Sequence, residues 1–393
     1  MKKSGNSNSI IKRANEHLIL GVLRRNDSAS VEDIVSATRL SRPTVLHILK
    51  DLDAKGLACK AGLGESLGGR QPVLYQLDLS NYFAVGIDFE YTPLRVAISD
   101  LKENLLFSRV WVSERTKTID EIVADLVKAV QEGMEALSIT TENLIGVGLG
   151  IPGRVDIVNN QATDMGRMQQ WNSEDIPGMV AKALEVSVIV RNDIHLMAAY
   201  ERRLQPQLPR SFFYVARRKG IGGAVFIQNH IYEGNSGNSA FMGHIVMESG
   251  GPVCRCGKRG CLEVFTSVPQ LESRYAERKN LETPVPYSEI LTRARSGDLP
   301  AAQIIGDAVE KLAMVISAGV QMYDIQAVVF CDEHQDEDDY FFNLVDARLK
   351  ELTTCNESSP VCLYKSLLSS DTYALGGCAQ ILDSFFKAPK LKV

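Results

Sequence analysis

A chain of 393 residues, 45% apolar and 23% charged with a net charge of −5, has the composition of a soluble globular protein and room for two or three domains. No apolar run is long enough to span a bilayer, and the basic start Met1-Lys2-Lys3 is not followed by the apolar stretch of a secretion signal. The charge is unevenly spread: residues 1–80 hold twelve Lys/Arg against eight Asp/Glu, which leaves −9 for the remainder. A small basic segment on an acidic body suggests a nucleic-acid module attached to something that does not touch DNA.

The segment from Ser7 to Leu23 spaces Ile10, Ile11, Ala14, Leu18, Val22 and Leu23 as an amphipathic helix. Ser30 is an N-cap for a short helix over Val31–Thr38, with Asp33 three positions on approximating a capping box. Ser41 then caps a second helix in which Pro43 falls in the first turn, where its missing N–H costs little. Val45, Ile48, Leu49 and Leu52 form the buried stripe of that helix and leave Arg42, Thr44, His47 and Lys50 on the outer side. Two short helices joined by a tight turn make a helix-turn-helix. The runs Leu57–Gly62 and Val73–Leu77 read as strands around a glycine-rich tip at Gly68-Gly69-Arg70, the wing of a winged helix. A bundle used for protein contacts is the rival reading of residues 1–80.

From Tyr82 a different body begins, with the hinge expected at Asp78–Tyr82. Phe83–Asp88, Leu94–Asp100 and Leu105–Val112 read as strands, Ile119–Leu137 as an amphipathic helix, and Leu144–Ile151 and Val186–Arg191 as further strands. The last of these breaks at Asn192-Asp193 into the helix Ile194–Arg203. A second half repeats the pattern from Phe212: strand, a turn at Arg218–Gly223, strand, a helix around Pro300–Tyr323, the strand Ala327–Cys331 and a last helix over Tyr373–Phe385. Repeated strand and helix units in two halves describe an α/β protein with a cleft between lobes.

Three of the eight cysteines, Cys254, Cys256 and Cys261, fall within eight residues, and His244 precedes them by ten. Three thiolates and an imidazole are the donor set of a closed structural zinc site. Free thiols in a surface loop are the alternative. The other cysteines, at 59, 331, 355, 362 and 378, read as small core residues. With thiolates but no even spacing of cysteines, a reducing cytoplasm is the expected compartment.

The segment Gly243-His244 followed by Cys254-Arg255-Cys256-Gly257-Lys258-Arg259-Gly260-Cys261-Leu262-Glu263 resembles the zinc signature of the ROK family of repressors, open reading frames and sugar kinases, and the resemblance covers the whole chain. It implies a winged helix at 1–80 and a two-lobed, actin-like sugar-kinase body at 81–393, with zinc on His244, Cys254, Cys256 and Cys261. It also implies a homodimer on an inverted repeat. Where family kinases carry Asp-x-Gly-Gly-Thr, this chain reads Asp88-Phe89-Glu90-Tyr91-Thr92, which sets bulk and a negative charge where backbone N–H groups approach a phosphate. The second phosphate loop reads Arg218-Lys219-Gly220-Ile221-Gly222-Gly223 and has lost its Thr. The adenosine loop has no glycines after Cys331. The resemblance therefore implies a regulator without kinase activity.

Part of the sugar side is kept. Asn192-Asp193 matches the family's pair, whose Asp is the general base in the kinases. Here Asp193 reads as a ligand contact, a helix cap, or both. His244 and Glu263 match sugar-contacting positions. The Glu expected two residues before Gly-His is Phe241, so the ring stacks on a less hydroxylated ligand or the pocket has lost its sugar. Arg167 would favour an anionic ligand such as a sugar phosphate. The expectation is a DNA-binding repressor responsive to a sugar or sugar phosphate. Ser41, Arg42, Thr44, His47, Lys50 and Arg70 would lie at operator DNA, and Asn192, Asp193, His244 and Glu263 at the effector. A sugar kinase with a DNA-binding arm and a body that senses a protein partner are the rivals.

Overall fold

The computed structural model describes residues 4–65, 71–90, 93–113, 117–172, 174–334, 339–353 and 360–387. At the N-terminus three helices, α1 (Ser4–Arg25), α2 (Val31–Thr38) and α3 (Arg42–Ala54), pack beside a small antiparallel sheet of β1 (Ala29–Ser30), β2 (Ala58–Leu63) and β3 (Val73–Leu77), in the order β1-β3-β2. The capping box forms: the Asp33 N–H donates to Ser30 Oγ at 3.1 Å and the Ser30 N–H to Asp33 Oδ2 at 2.9 Å. Arg39, left-handed at φ 59°, ends α2 and starts the tight turn, and Ser41 caps α3. Val45, Ile48, Leu49 and Leu52 are at most 2% exposed, so the 3.6-residue period alone placed this stripe.

The expected hinge at 78–82 is tied on both sides. Asn81 donates to Gly56 O and Asp78, Tyr82 donates to Lys55 O, and Asn143 reaches back to Asn81 O. Arg70, the expected wing tip, lies outside the described residues.

The first lobe holds β4 (Phe83–Asp88), β5 (Leu94–Ser99), β6 (Leu105–Trp111), α4 (Ile119–Leu137), β7 (Leu144–Ile151), the ribbon β8 (Arg154–Asp156) and β9 (Gln161–Asp164), α5 (Ile176–Leu184), β10 (Val188–Asn192) and α6 (Asp193–Leu204). The second holds β11 (Phe212–Arg217), β12 (Ile221–Ile227), β13 (His230–Ile231), α7 (Leu262–Thr266), α8 (Val268–Lys279), α9 (Tyr287–Arg295), α10 (Leu299–Tyr323), β14 (Ala327–Asp332), α11 (Tyr340–Leu352) and β15 (Cys362–Lys365). The last helix, α12 (Leu375–Phe386), returns to the first lobe.

The two five-stranded sheets repeat one topology. Their orders are β10-β7-β4-β5-β6 and β15-β14-β11-β12-β13, with the three strands at one end parallel and the rest antiparallel. Their central strands, β4, β7, β11 and β14, are apolar runs buried almost throughout, as strands covered on both faces must be. α12 lies against β4 and β7 at a backbone approach that admits no side chain: a Cβ on Gly86 would stand 1.9 Å from Ala374 O, and one on Gly148 2.0 Å from Gly377 O. The apolar core of α1–α3 is continuous with the core around α12.

The expected segments are present with ends displaced by a few residues. Two expectations are corrected. Cys362 is exposed and Cys59 half-buried, although Cys331 and Cys378 are core residues as expected. Asn192, rather than Asp193, caps α6, its Oδ1 accepting from the His195 N–H at 3.1 Å. Cys355 lies outside the described residues.

Candidate functional site

Between the lobes lies a cleft of about 410 Å³ lined by Asn192, Asp193, Arg218, Phe241, His244 and Glu263, among others. Two strand ends and one helix start converge there, because the repeated sheets point the ends of β4 and β11 at each other across the gap and β10 delivers the start of α6. Asn192 is fixed by its cap and by donating from Nδ2 to Gly153 O at 2.9 Å. Asp193 is 6% exposed, accepts from the Ile194 N–H, and stands 3.4 Å from Arg218 Nη1. Burial raises its carboxyl to about 7 in spite of that guanidinium. His195, buried beside it with Nε2 3.3 Å from Ser239 O, is held neutral, its pKa lowered to about 4 by burial.

Arg218 is the residue that composition and spacing did not single out. It is 2% exposed and reaches from the end of β11 to Asp88 at 2.5 Å and Glu90 at 2.6 Å in the other lobe. Arg95, 1% exposed, meets the same two carboxylates at 2.9 and 3.5 Å. Both guanidiniums lie over the Tyr373 ring, at 4.9 Å for Arg95 and 4.7 Å for Arg218. Burial works against the Asp88 carboxylate, but Arg218 and Arg95 outweigh it and hold the group below its ordinary value. Glu90, farther from Arg95, is pushed up by burial. Next along the chain, Arg217 pairs with Asp332 and donates to Tyr287 Oη at 2.7 Å, under the ring of Phe341. The run Arg217-Arg218-Lys219 after a buried strand was the available signal. It was legible only as a phosphate loop that had lost its Thr, because Asp88, Glu90 and Asp332 are more than a hundred residues away and even Asp193 is 25 away.

Phe241 lines the cleft with its ring 5.1 Å from that of His244 and the Arg154 guanidinium 5.2 Å above it. Glu263, 5% exposed, is not open to a ligand on all sides: Arg255 grips it from Nε at 2.7 Å and from Nη2 at 3.1 Å. The side chain of Arg167 lies outside the described ones.

The structure gathers His244, Cys254, Cys256 and Cys261 at the rim, with donor atoms all within 4.8 Å of one another. His244 Nδ1 is 3.5 Å from Cys254 Sγ, and Cys256 Sγ is 3.6 Å from Cys261 Sγ. The loop between them closes because Gly257 and Gly260 adopt φ of 84° and 71°; at Gly260 a Cβ would lie 1.8 Å from Glu248 O. This cluster can hold a metal ion. Arg255, between two of its thiols, is thereby placed on Glu263.

In the N-terminal segment, Ser41, Arg42, His47 and Lys50 are exposed on α3 and Thr44 is half-buried. Ser41 Oγ accepts from the Thr44 N–H at 3.4 Å. Arg42 pairs with Glu32 of α2, and His47 lies 3.7 Å from Asp51.

The model of the ROK family matches residues 84–384. A xylose repressor of Bacillus spizizenii is 24% identical over 98% of this chain and 98% of its own. A solved ROK family transcriptional regulator, homolog of the E. coli MLC protein, shares the fold at a TM-score of 0.78 and 18% identity, over 96% of this chain and 97% of its own. A ROK family glucokinase from Streptomyces griseus, solved with glucose and AMPPNP, gives a TM-score of 0.65 at 20% identity; it covers 76% of this chain and 98% of its own.

Proposed function

The chain belongs to the ROK family, and we propose that it is a DNA-binding transcriptional regulator, acting as a repressor, whose cleft takes a sugar or sugar phosphate. One observation carries this reading: the likeness to the xylose repressor runs along 98% of the chain, so it takes in α1–α3 and their sheet, whereas the ROK family model matches residues 84–384 only.

In this reading residues 1–80 are a winged helix-turn-helix. Helix α3 enters a major groove, with Arg42, Thr44 and His47 toward base edges and Ser41 and Lys50 toward phosphates. The β2–β3 hairpin is the wing, and Arg70 at its tip adds a phosphate or minor-groove contact. The body, residues 81–393, pairs with a second copy, so that two α3 helices meet an inverted repeat.

Asn192, Asp193, His244 and Glu263 face the effector, with Phe241 offering a ring to stack on. The rim cluster holds a structural zinc, since four protein donors leave no open position. A tetrahedral site with Zn–S bonds of about 2.3 Å sets sulfurs about 3.8 Å apart, close to the observed Cys256–Cys261 spacing. Arg218 argues against a kinase: its guanidinium fills the space between the phosphate-loop positions of both lobes and is neutralised by Asp88 and Glu90.

The test is binding of the purified protein to DNA from upstream of its own gene, against a scrambled competitor. A complex that resists the competitor and is then dissociated or tightened by D-xylose or a sugar phosphate supports the reading. Only competitor-sensitive binding to all DNA tried removes the regulator.

A further inference from the structure

Helix α6 touches the cleft at one end and the N-terminal segment's anchor at the other. Its first turn carries Asp193 and His195 in the cleft wall, and Met197 Sδ lies 3.4 Å from Arg218 Nη1. In mid-helix Glu201, wholly buried, accepts from the Leu367 N–H at 2.8 Å, from Gln205 Nε2 at 2.7 Å and from Ser366 Oγ. In its last turn Arg203 pairs with Glu103, in the β5–β6 turn, and with Asp383 of α12. Those same two carboxylates hold Arg24 of α1, at 2.6 and 3.0 Å, and the Arg24 guanidinium lies 4.6 Å over the Phe386 ring.

Two guanidiniums and two carboxylates thus alternate around one junction. It joins α1, the first lobe, α6 and α12.

We propose that α6 is the element that couples the effector cleft to the N-terminal segment, and that Arg203, by sharing Glu103 and Asp383 with Arg24, is the positioning residue at its far end. The inference rests on the reading of residues 1–80 as the DNA-binding part.

A helix of twelve residues is a stiff rod about 18 Å long, so a shift of its first turn is delivered to its last rather than absorbed between. Arg203 cannot move by an ångström without changing its bonds to both carboxylates, and each carboxylate then redistributes toward or away from Arg24. Glu103 is 13% exposed and Arg24 20% in their side chains, so solvent screens the exchange at Glu103 less than it would an open surface pair, while Asp383, 51% exposed, is screened more. The junction is also where the core of α1–α3 runs into the core around α12, so a change there bears on the seating of the whole N-terminal segment. An effector that binds Asp193 in one arrangement of the lobes only would bias that seating, and DNA would bias the cleft by the same factor in return.

The test needs neither effector nor operator. Hydrogen exchange of α1 amides, residues 14–25, is measured on the full chain at pH 8, where Asp193 is ionised. The proteins are the wild type, D193N, R203M, D193N/R203M and R203K, with the melting temperature of each checking that it is folded. D193N is expected to change α1 exchange about fivefold when Arg203 is present and by less than about 1.5-fold in the R203M background. R203K, which keeps a cation at the junction, is expected to transmit part of the effect. An equal D193N effect on α1 in both backgrounds overturns the proposal, as does a D193N effect on cleft amides 190–197 that never reaches α1 in the wild type. Operator binding is read separately, so loss of the DNA reading with the exchange coupling intact would leave the α6 link standing.

Discussion

Arg218 and Asp88 face each other from different lobes, the guanidinium at the end of β11 lying 2.5 Å from the carboxylate at the end of β4. Glu90 and Asp193 complete the circle around the same guanidinium. In a phosphotransfer site these strand ends would hold backbone amides open to an anion. Here the chain supplies its own anions and its own cation, and the lobes are joined by a buried ion network.

Removing Arg218 leaves Asp88 and Glu90 to share Arg95 and takes away the guanidinium beside Asp193, all in a dry site. Arg218→Met is expected to cost about 3–5 kcal/mol in urea unfolding, the range for breaking a buried network from one side. Adding Asp88→Asn in the same chain should recover part of the loss, because one uncompensated charge is then gone. If Arg218→Met unfolds at the wild-type midpoint, the network holds nothing together.

Asp193 makes stability depend on pH. Its carboxyl rises from an ordinary 3.8 to about 7 on folding, so the folded state holds the proton more tightly and stability falls as pH rises between those values. Asp193→Asn removes this dependence. The stability of the variant relative to wild type should therefore improve from pH 5 to pH 8, by on the order of 2 kcal/mol. Melting curves of both proteins at the two pH values check it; a difference that stays constant, or moves the other way, refutes the shift.

The rim cluster should carry one zinc per chain by elemental analysis. Cys256→Ser, which alters the partly exposed thiol rather than the fully buried Cys261, is expected to lose the metal and to lower the melting temperature. Chelation of the wild type should lower it in the same direction. Full metal content in the variant would show that the four donors do not act as a set.

Two residues on α3 separate positioning from readout. Lys50→Ala should weaken binding to specific and scrambled DNA alike and reduce the slope of log K against log salt by about 1. His47→Ala should weaken the specific complex more than the scrambled one, by about 1–3 kcal/mol if it reads a base edge. Equal losses on both DNAs for His47→Ala would move it from base edge to phosphate.

ATP with magnesium should neither raise the melting temperature of the wild type nor support transfer of its terminal phosphate to D-xylose. A saturable shift would mean that Arg218 can swing aside.

Local chemistry was legible in the chain at several places where its cause is local, although the cap of α6, expected at Asp193, is Asn192. The Ser30/Asp33 capping box, the buried stripe of α3 and the close grouping of His244, Cys254, Cys256 and Cys261 each depend on residues within a few turns of one another. The absence of glycines at Phe89-Glu90 after Asp88 is likewise visible in the chain alone. The repeat of strand and helix units announced two lobes, because alternating periodicities survive in sequence whatever the strands later pair with.

What the tertiary structure decided is which distant groups meet. Glu90 was visible as a misplaced charge, but that Arg218 and Arg95 would be folded onto it follows only from two sheets pointing their strand ends across one gap. Arg255 lay unremarked between two cysteines until the turn at Gly257 and Gly260 set it on Glu263. Arg24 and Arg203 are 179 positions apart and share two carboxylates because α12 returns from the end of the chain to the first lobe. Burial and ion pairing depend on proximity in space. A linear chain records the groups and leaves their partners to the fold.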